Sequence, residues 1–243
     1  MKHSIYWWIA RIALLGAVVV LFFAGKTMLI ANKDCNFDEN LQEQYVKEEN
    51  KMLGLKIDFE DLKRRNPDTV GWIYVPGTNI NYPVVQTSNN QDYLNKRFDG
   101  NATPYGTIFI DHRHTLAGNN VVLYGHNQGR FNPVKFTNLN EYLLNSDFIK
   151  KHPYFEYYDA ATGKGTAYKI FSVVRADVST QENINHYYES VEDKDYETYL
   201  KWLQKQTLVI SEVKIDPTKQ AMLLSTCTDD AHWQRILVCG LAM

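Results

Sequence analysis

Apolar and polar positions fall into two regimes along this chain. From Ile12 to Ala31, twenty residues carry one charge, Lys26, and a similar window starting at Ile5 also carries one, Arg11. Either window matches the roughly 20 apolar residues with which a helix crosses a bilayer core. Tyr6, Trp7 and Trp8 stand at the leading edge, where aromatic rings favour the membrane interface. Ala24-Gly25-Lys26 is a poor small-x-small cleavage site, and the apolar run is long for the core of a secretory signal. Residues 1–31 therefore read as a retained membrane anchor with a short cytoplasmic end. The charge bias behind that orientation is modest, since Lys2 and Arg11 lie on one side and Lys26 and Lys33 on the other.

Residues 36–57 are polar, with Leu41, Tyr45, Met52 and Leu53 at near-helical spacing, and predict a helical linker over 32–57. Asp58, with Asp61 three residues on, predicts the cap of a second short helix that Asn66-Pro67 stops. From there the apolar positions switch to strand-like runs between turn residues. The segments are Gly71–Val75, Ile80–Val85, Gly106–Ile110, Asn120–Tyr124, Tyr154–Asp159, Thr166–Val178, Gln220–Cys227 and Gln234–Leu241. Helical stretches interrupt at Leu139–Lys151 and Glu189–Lys205, the second with Tyr196, Tyr199, Leu200 and Leu203 on one side. About eight strands with little helix between them make the fold mainly β, a closed or nearly closed barrel in one domain over 58–243.

Composition narrows the function. The 243 residues hold 26 basic and 28 acidic side chains, net −2, interspersed and without a basic run that would suit nucleic acid. The three cysteines, Cys35, Cys227 and Cys239, are too few and too odd in number for a disulfide scaffold.

The candidate chemistry lies at strand ends. Leu223, Ser225 and Cys227 alternate onto one face, and Cys227 stands just before the polar Thr228-Asp229-Asp230. A turn over Thr228–Trp233 returns Arg235 on an antiparallel neighbour, facing Cys227 across the ladder. Arg235 shares its face with Leu237 and Cys239, which predicts that the face points inward. The thiol is a candidate nucleophile and the guanidinium a candidate holder of negative charge, set against the plainer reading of a packed cysteine and a surface arginine. His126 ends a short apolar strand and could handle protons, but spacing alone does not separate it from the other six histidines. Asp111, His112 and His114 resemble a small metal cluster that lacks a further well-spaced ligand.

These residues carry a resemblance. Gly71-Trp72-Ile73 with Pro76-Gly77-Thr78, Tyr82-Pro83-Val84-Val85-Gln86, Asn90 with Tyr93-Leu94, and Gly106 to Asp111 lead to Tyr124-Gly125-His126-Asn127 and Leu224-Ser225-Thr226-Cys227 with Arg235. In this order, and over nearly everything from about Asp58 onward, the chain resembles the class B sortases, membrane-anchored cysteine transpeptidases of Gram-positive bacteria. The resemblance implies a sortase-type barrel in which His126, Cys227 and Arg235 are catalytic. It implies substrate contacts at Asn90, Leu94 and Ser225 and around Tyr187 and Tyr188, and a further contact at Thr228, where the family can carry an acidic residue. It calls for no cofactor and no metal. The implied partners are secreted proteins with a C-terminal sorting motif of the Pro-x-Thr-Gly/Asn type, a lipid-linked peptidoglycan precursor, and the membrane. The domain would face the cell wall from the outer side.

Two other classes remain beside it. An L,D-transpeptidase of the cell wall uses similar residue types, but with its arginine about two residues after the cysteine rather than eight. A surface-anchored β module that binds a partner without catalysis would keep its function when Cys227 is alkylated. Papain-like peptidases place the cysteine first, at a helix N-terminus, and the histidine later.

Overall fold

The computed structural model describes residues 2–48, 51–129, 134–188, 193–228 and 233–243. The chain divides into two compact units, Met1–Asn40 and Leu41–Met243. Helix α1, Lys2–Tyr45, makes up the first and runs into the second. Its apolar side chains from Tyr6 to Ile30 are exposed all round, the pattern of a helix whose surroundings are apolar. Among the described residues it is one helix long and apolar enough to cross a membrane.

The linker departs from the expectation. The helix ends at Tyr45, and β1 (Val46–Glu48) pairs antiparallel with β2 (Leu55–Ile57) instead of continuing it. The cause lies far along the chain. The Leu53 backbone N–H donates to Glu156 Oε1 (2.9 Å), and that of Leu55 donates to the Tyr158 hydroxyl (3.1 Å). These acceptors hold the turn at Leu53 and the start of β2, and helix spacing cannot signal them. Asp58 then caps α2 (Phe59–Arg65), accepting from the Asp61 N–H at 3.0 Å. Asn66, extended ahead of Pro67, ends the helix.

Eight strands close the barrel: β3 (Thr69–Tyr74), β4 (Asn81–Val85), β5 (Ile108–Ile110), β6 (Asn120–Tyr124), β7 (Tyr154–Asp159), β8 (Gly165–Asp177), β9 (Ala221–Cys227) and β10 (Gln234–Ala242). Their order is β10-β8-β7-β3-β4-β5-β6-β9, with β9 joined back to β10. Pairing is antiparallel except between β4 and β5 and between β6 and β9. Parallel neighbours need long connections: β4 and β5 are joined by residues 86–107 with no helix, while the helices inserted between barrel strands lie between β6 and β7 and between β8 and β9. The expected single helix over 139–151 is broken into a 3₁₀ turn (Thr137–Asn140), α3 (Glu141–Leu144) and α4 (Phe148–Lys151). Extended Asn145 ends α3, and its side chain accepts from the Asp147 N–H, competing with the helix ladder. The connection after β8 holds α5 (Gln181–Tyr188), which has no clear apolar stripe to announce it, and α6 (Asp193–Lys205). The expected start of the late helix at Glu189 lies outside the described residues.

Two apolar clusters follow from strand alternation. One fills the lumen with side chains from all eight strands, among them Ile73, Val84, Ile110, Leu123, Phe155, Ile170, Leu224 and Val238. The other lies on the outside, where Tyr196, Tyr199, Leu200 and Leu203 of α6 cover Val122, Phe171, Leu223, Leu237 and Cys239. The face that Arg235 shares with Leu237 and Cys239 is therefore buried under helices, not turned into the lumen. The lumen is already full, so an inward position there would leave no room for a guanidinium.

Candidate active site

Three neighbouring strands bring the candidate residues to one end of the barrel. Tyr124 of β6 pairs with Ser225 of β9 in parallel register, and the ladder continues past the strand, with the Gly125 N–H donating to Ser225 O at 3.2 Å. Two residues further, the same register sets His126 level with Cys227. On the other side of β9, Cys227 pairs directly with Arg235 of β10. Cys227 and Arg235 are thus direct partners on adjacent strands, and His126, two residues past the end of β6, completes the row on the other side of β9. All three are partly exposed.

Local bonds fix the row. The Thr226 hydroxyl donates to Gly125 O (2.8 Å), and the Asn127 amide donates to Cys227 O (2.8 Å). The absence of a side chain at Gly125 matters, because a Cβ there would meet the Phe136 ring at 2.7 Å. The imidazole Nε2 of His126 lies 2.7 Å from the carbonyl oxygen of Leu94. Arg235 Nη1 donates to Gln234 O at 2.9 Å.

The row opens on a groove of about 680 Å³, within the range typical of ligand sites. Asn90, Leu94, Tyr188 and Ser225 line it together with His126, Cys227 and Arg235. Phe109, Tyr124 and Tyr188 make an aromatic run along it, with ring centroids 5.4 and 5.5 Å apart in sequence. The Tyr188 hydroxyl lies 2.9 Å from Ser225 Oγ. Burial pushes the Tyr188 phenol well above its ordinary value, so it stays a neutral hydroxyl at working pH.

Sequence reasoning passed over Arg113, which also lines the groove. It grips the buried Asp111 carboxylate, donating from Nε (3.0 Å) and Nη2 (2.6 Å), while the Tyr124 hydroxyl donates to the same carboxylate at 2.9 Å. Burial alone would raise the Asp111 carboxyl. Arg113, then Tyr124 and Asn90, outweigh it and hold the group well below the usual carboxylate range. Asn90 joins from the other side, its Oδ1 accepting from the His112 N–H at 2.9 Å. The available signal was the string Asp111-His112-Arg113-His114, read for Asp111, His112 and His114 as metal ligands and not for its arginine.

The remaining candidates lie apart from the groove lining. Tyr187 turns to the His186 and Trp202 rings, and Thr228 is buried with its N–H on Gln234 O at 3.2 Å. The turn that separates Thr228 from Trp233 lies outside the described residues over 229–232. Among the possible histidines, His114 is buried with its two ring nitrogens 2.8 Å from Asn120 O and 2.6 Å from Tyr188 O. With Asp111 committed to Arg113 as well, the cluster weighed for a metal is engaged by protein groups.

Comparison with known proteins adds to the geometry. The sortase family model, described as the sortase domain, matches residues 73–242. Over 225 residues the chain is 32% identical to sortase B of Staphylococcus aureus, covering 90% of this chain and 88% of that one. It is similar to the crystal structure of sortase B from Clostridium perfringens, with a TM-score of 0.69 and 30% identity over 76% of this chain and 100% of that one. It is also similar to a Staphylococcus aureus sortase B-substrate complex, with a TM-score of 0.67 and 32% identity over 76% of this chain and 84% of that one.

Proposed function

The chain belongs to the sortase family, in its class B, and is a sortase transpeptidase; from that premise we propose that it cleaves a C-terminal sorting motif of the Pro-x-Thr-Gly/Asn type after the threonine and joins the secreted protein to an amine of a peptidoglycan precursor. In this reading Cys227 is the nucleophile. Its thiolate attacks the threonine carbonyl, and the negative charge that develops on oxygen meets the Arg235 guanidinium. A positioned donor of this kind contributes about 3 kcal/mol to the transition state. His126, as imidazolium, gives its proton to the leaving amine and the C–N bond breaks. A thioester remains on Cys227. The acceptor amine then attacks the thioester, His126 takes the proton back and the thiolate leaves.

The observation that carries this reading is the row itself. A thiol and a guanidinium pair directly across β9 and β10, the imidazole stands two residues past the end of β6 beside them, and all three line one groove of about 680 Å³. Asn90, Leu94, Ser225 and Tyr188 supply that groove with polar and apolar contacts for the motif. The acceptor reading draws support from a related sortase B that was solved in complex with triglycine. Tyr187 and Thr228 act through the ends of α5 and β9 in this scheme, as neighbours of Tyr188 and Cys227.

The apolar α1 serves as a single-pass anchor over 1–31, with a cytoplasmic N-terminus. Residues 32–57 form the linker, and 58–243 the catalytic domain on the wall side. Protein substrate and lipid-linked acceptor are both confined near the same membrane, so anchoring raises their effective concentration at the site.

Mass spectrometry of the full chain in detergent, mixed with Pro-x-Thr-Gly/Asn peptides, tests the proposal. The expected product is an acyl adduct on Cys227 ending in threonine, absent in Cys227→Ala. Turnover of such peptides by Cys227→Ala, or acylation by muropeptides instead, would overturn it.

A further inference from the structure

We infer that the backbone carbonyl of Leu94, held in place by Gly106, positions the His126 imidazole through Nε2 and so leaves Nδ1 as the nitrogen that moves the proton. The inference rests on the catalytic reading of His126. Leu94 O lies 2.7 Å from Nε2, and a carbonyl oxygen only accepts. Nε2 must therefore carry hydrogen in this contact, whether the ring is charged or neutral. The bond made by one ring nitrogen sets the work of the other.

The carbonyl is fixed by its surroundings. Leu94 lies in the connection between β4 and β5, where the chain doubles back on itself. Tyr93 O accepts from the Thr107 N–H (3.0 Å), Asn95 O from the Thr103 N–H (3.0 Å), and Lys96 O from the Thr107 hydroxyl (2.9 Å). These bonds hold the residues on both sides of Leu94. Opposite stands Gly106, with a φ of +59°. A Cβ there would lie 2.5 Å from Tyr93 O and 2.6 Å from Leu94 O. Both obstacles are backbone, so relieving the contact means shifting main chain, either at residue 106 or at the carbonyls that include the one holding the imidazole. The positive φ adds strain for any other residue.

The chemical consequence is specific. In the first half-reaction the S–C bond forms and the scissile C–N bond breaks, and the Nδ1 proton passes to the leaving amine. The ring is left neutral with its Nε2 hydrogen still on Leu94 O. In the second half-reaction the incoming amine gives its proton to Nδ1 as the thiolate leaves. The ring returns to imidazolium without turning over. Leu94 also lines the groove, so the segment proposed to receive the peptide is the one that orients the imidazole.

The test is long-range proton–nitrogen correlation NMR of the full chain in detergent, labelled with 15N-histidine. His126 is identified by the signals lost in His126→Gln. In the neutral ring, the protonated nitrogen is expected to couple strongly to both ring C–H protons, the signature of Nε2–H. Gly106→Ala is expected to lose that single pattern and to lower kcat tenfold or more, with KM within a few-fold of the parent. A protonated nitrogen that couples strongly to Hε1 alone, meaning Nδ1–H, would overturn the inference, and the wild-type spectrum decides this even if Gly106→Ala does not fold. So would a folded Gly106→Ala with unchanged kcat and an unchanged His126 pattern. Full activity in His126→Gln would instead remove the catalytic reading on which the inference stands. An inactive His126→Gln together with Nδ1–H would leave that reading intact and sink only the inference.

Discussion

Replacing Asp111 with asparagine tests the network behind the groove. The two carboxylate oxygens divide their donors between them. Oδ1 accepts from the Arg113 N–H (2.9 Å) and Nε (3.0 Å), and Oδ2 accepts from Arg113 Nη2 (2.6 Å) and the Tyr124 hydroxyl (2.9 Å). An asparagine must put an NH₂ in place of one oxygen. If it replaces Oδ2, the Tyr124 hydroxyl can turn and accept, but Nη2 then faces another donor. If it replaces Oδ1, two Arg113 donors are left facing the NH₂. The milder arrangement loses one charge-assisted hydrogen bond, a contribution of about 1.5–3 kcal/mol. Arg113 is 31% exposed, so water takes up part of its unmet demand and about 2 kcal/mol is expected. For a domain of this size that lowers the midpoint of thermal unfolding by about 4–8 °C.

The pH dependence gives the sharper check. The folded-state carboxyl is held below its ordinary value of about 3.9. Above that value both states are ionised and the full stabilisation is present. As pH falls through it, the unfolded chain takes up a proton that the folded chain refuses, and the stabilisation drains away toward the lower folded value. The gap between parent and Asp111→Asn in unfolding scans at fixed rate is therefore widest near neutrality and narrows below about pH 4. Equal midpoints at neutral pH, or a gap that widens on acidification, would refute the account of Asp111 as an ionised anchor.

Three further outcomes follow from the same geometry. Arg235→Ala lowers kcat for a sorting-motif peptide by about 10²–10³ in steady-state cleavage, with protein still folded by circular dichroism; a loss under threefold would deny Arg235 its charge-stabilising role. Tyr188→Phe strips the buried Ser225 hydroxyl of a partner at 2.9 Å and destabilises by about 1 kcal/mol in urea unfolding, while an unchanged midpoint would mean that the pair contributes nothing net. Removing residues 1–31 leaves cleavage of a soluble peptide unchanged and slows transfer to a lipid-linked acceptor in vesicles by about tenfold or more; equal rates in vesicles would show that anchoring is not needed to concentrate the partners.

Much of the barrel was legible because its strands are apolar runs cut by turn residues. The expected Gln234–Leu241 and Thr166–Val178 segments nearly coincide with β10 and β8. What escaped depended on distant partners. Leu53, just before β2, and Leu55, at its start, are held by Glu156 and Tyr158, each 103 residues from its partner, and no periodicity within the linker reports that. Burial of the Arg235 face was foreseen, but not its direction, because Leu237 and Cys239 are as apolar under a helix as they are in a lumen. The histidines show the same limit. His114 and His126 both follow apolar runs, and only the fold ties both ring nitrogens of His114 to backbone carbonyls while His126 gives one to Leu94 O and lines the groove.

The site depends on β9 having one parallel and one antiparallel neighbour. Parallel pairing with β6 sends the C-terminal ends of both strands to the same rim, so His126 and Cys227 emerge together. Antiparallel pairing with β10 brings the start of that strand to the same rim, and with it Arg235. Had β6 run antiparallel to β9, the residue after its last strand position would stand at the opposite end of the barrel, the length of a strand away. The lumen is closed to a peptide by Leu224, Ile236 and Val238. The outer face is closed by α6 along most of β9. An extended substrate is left the rim where α5, the β4–β5 connection and the three strand ends meet, which is where the groove and all three candidate side chains are found.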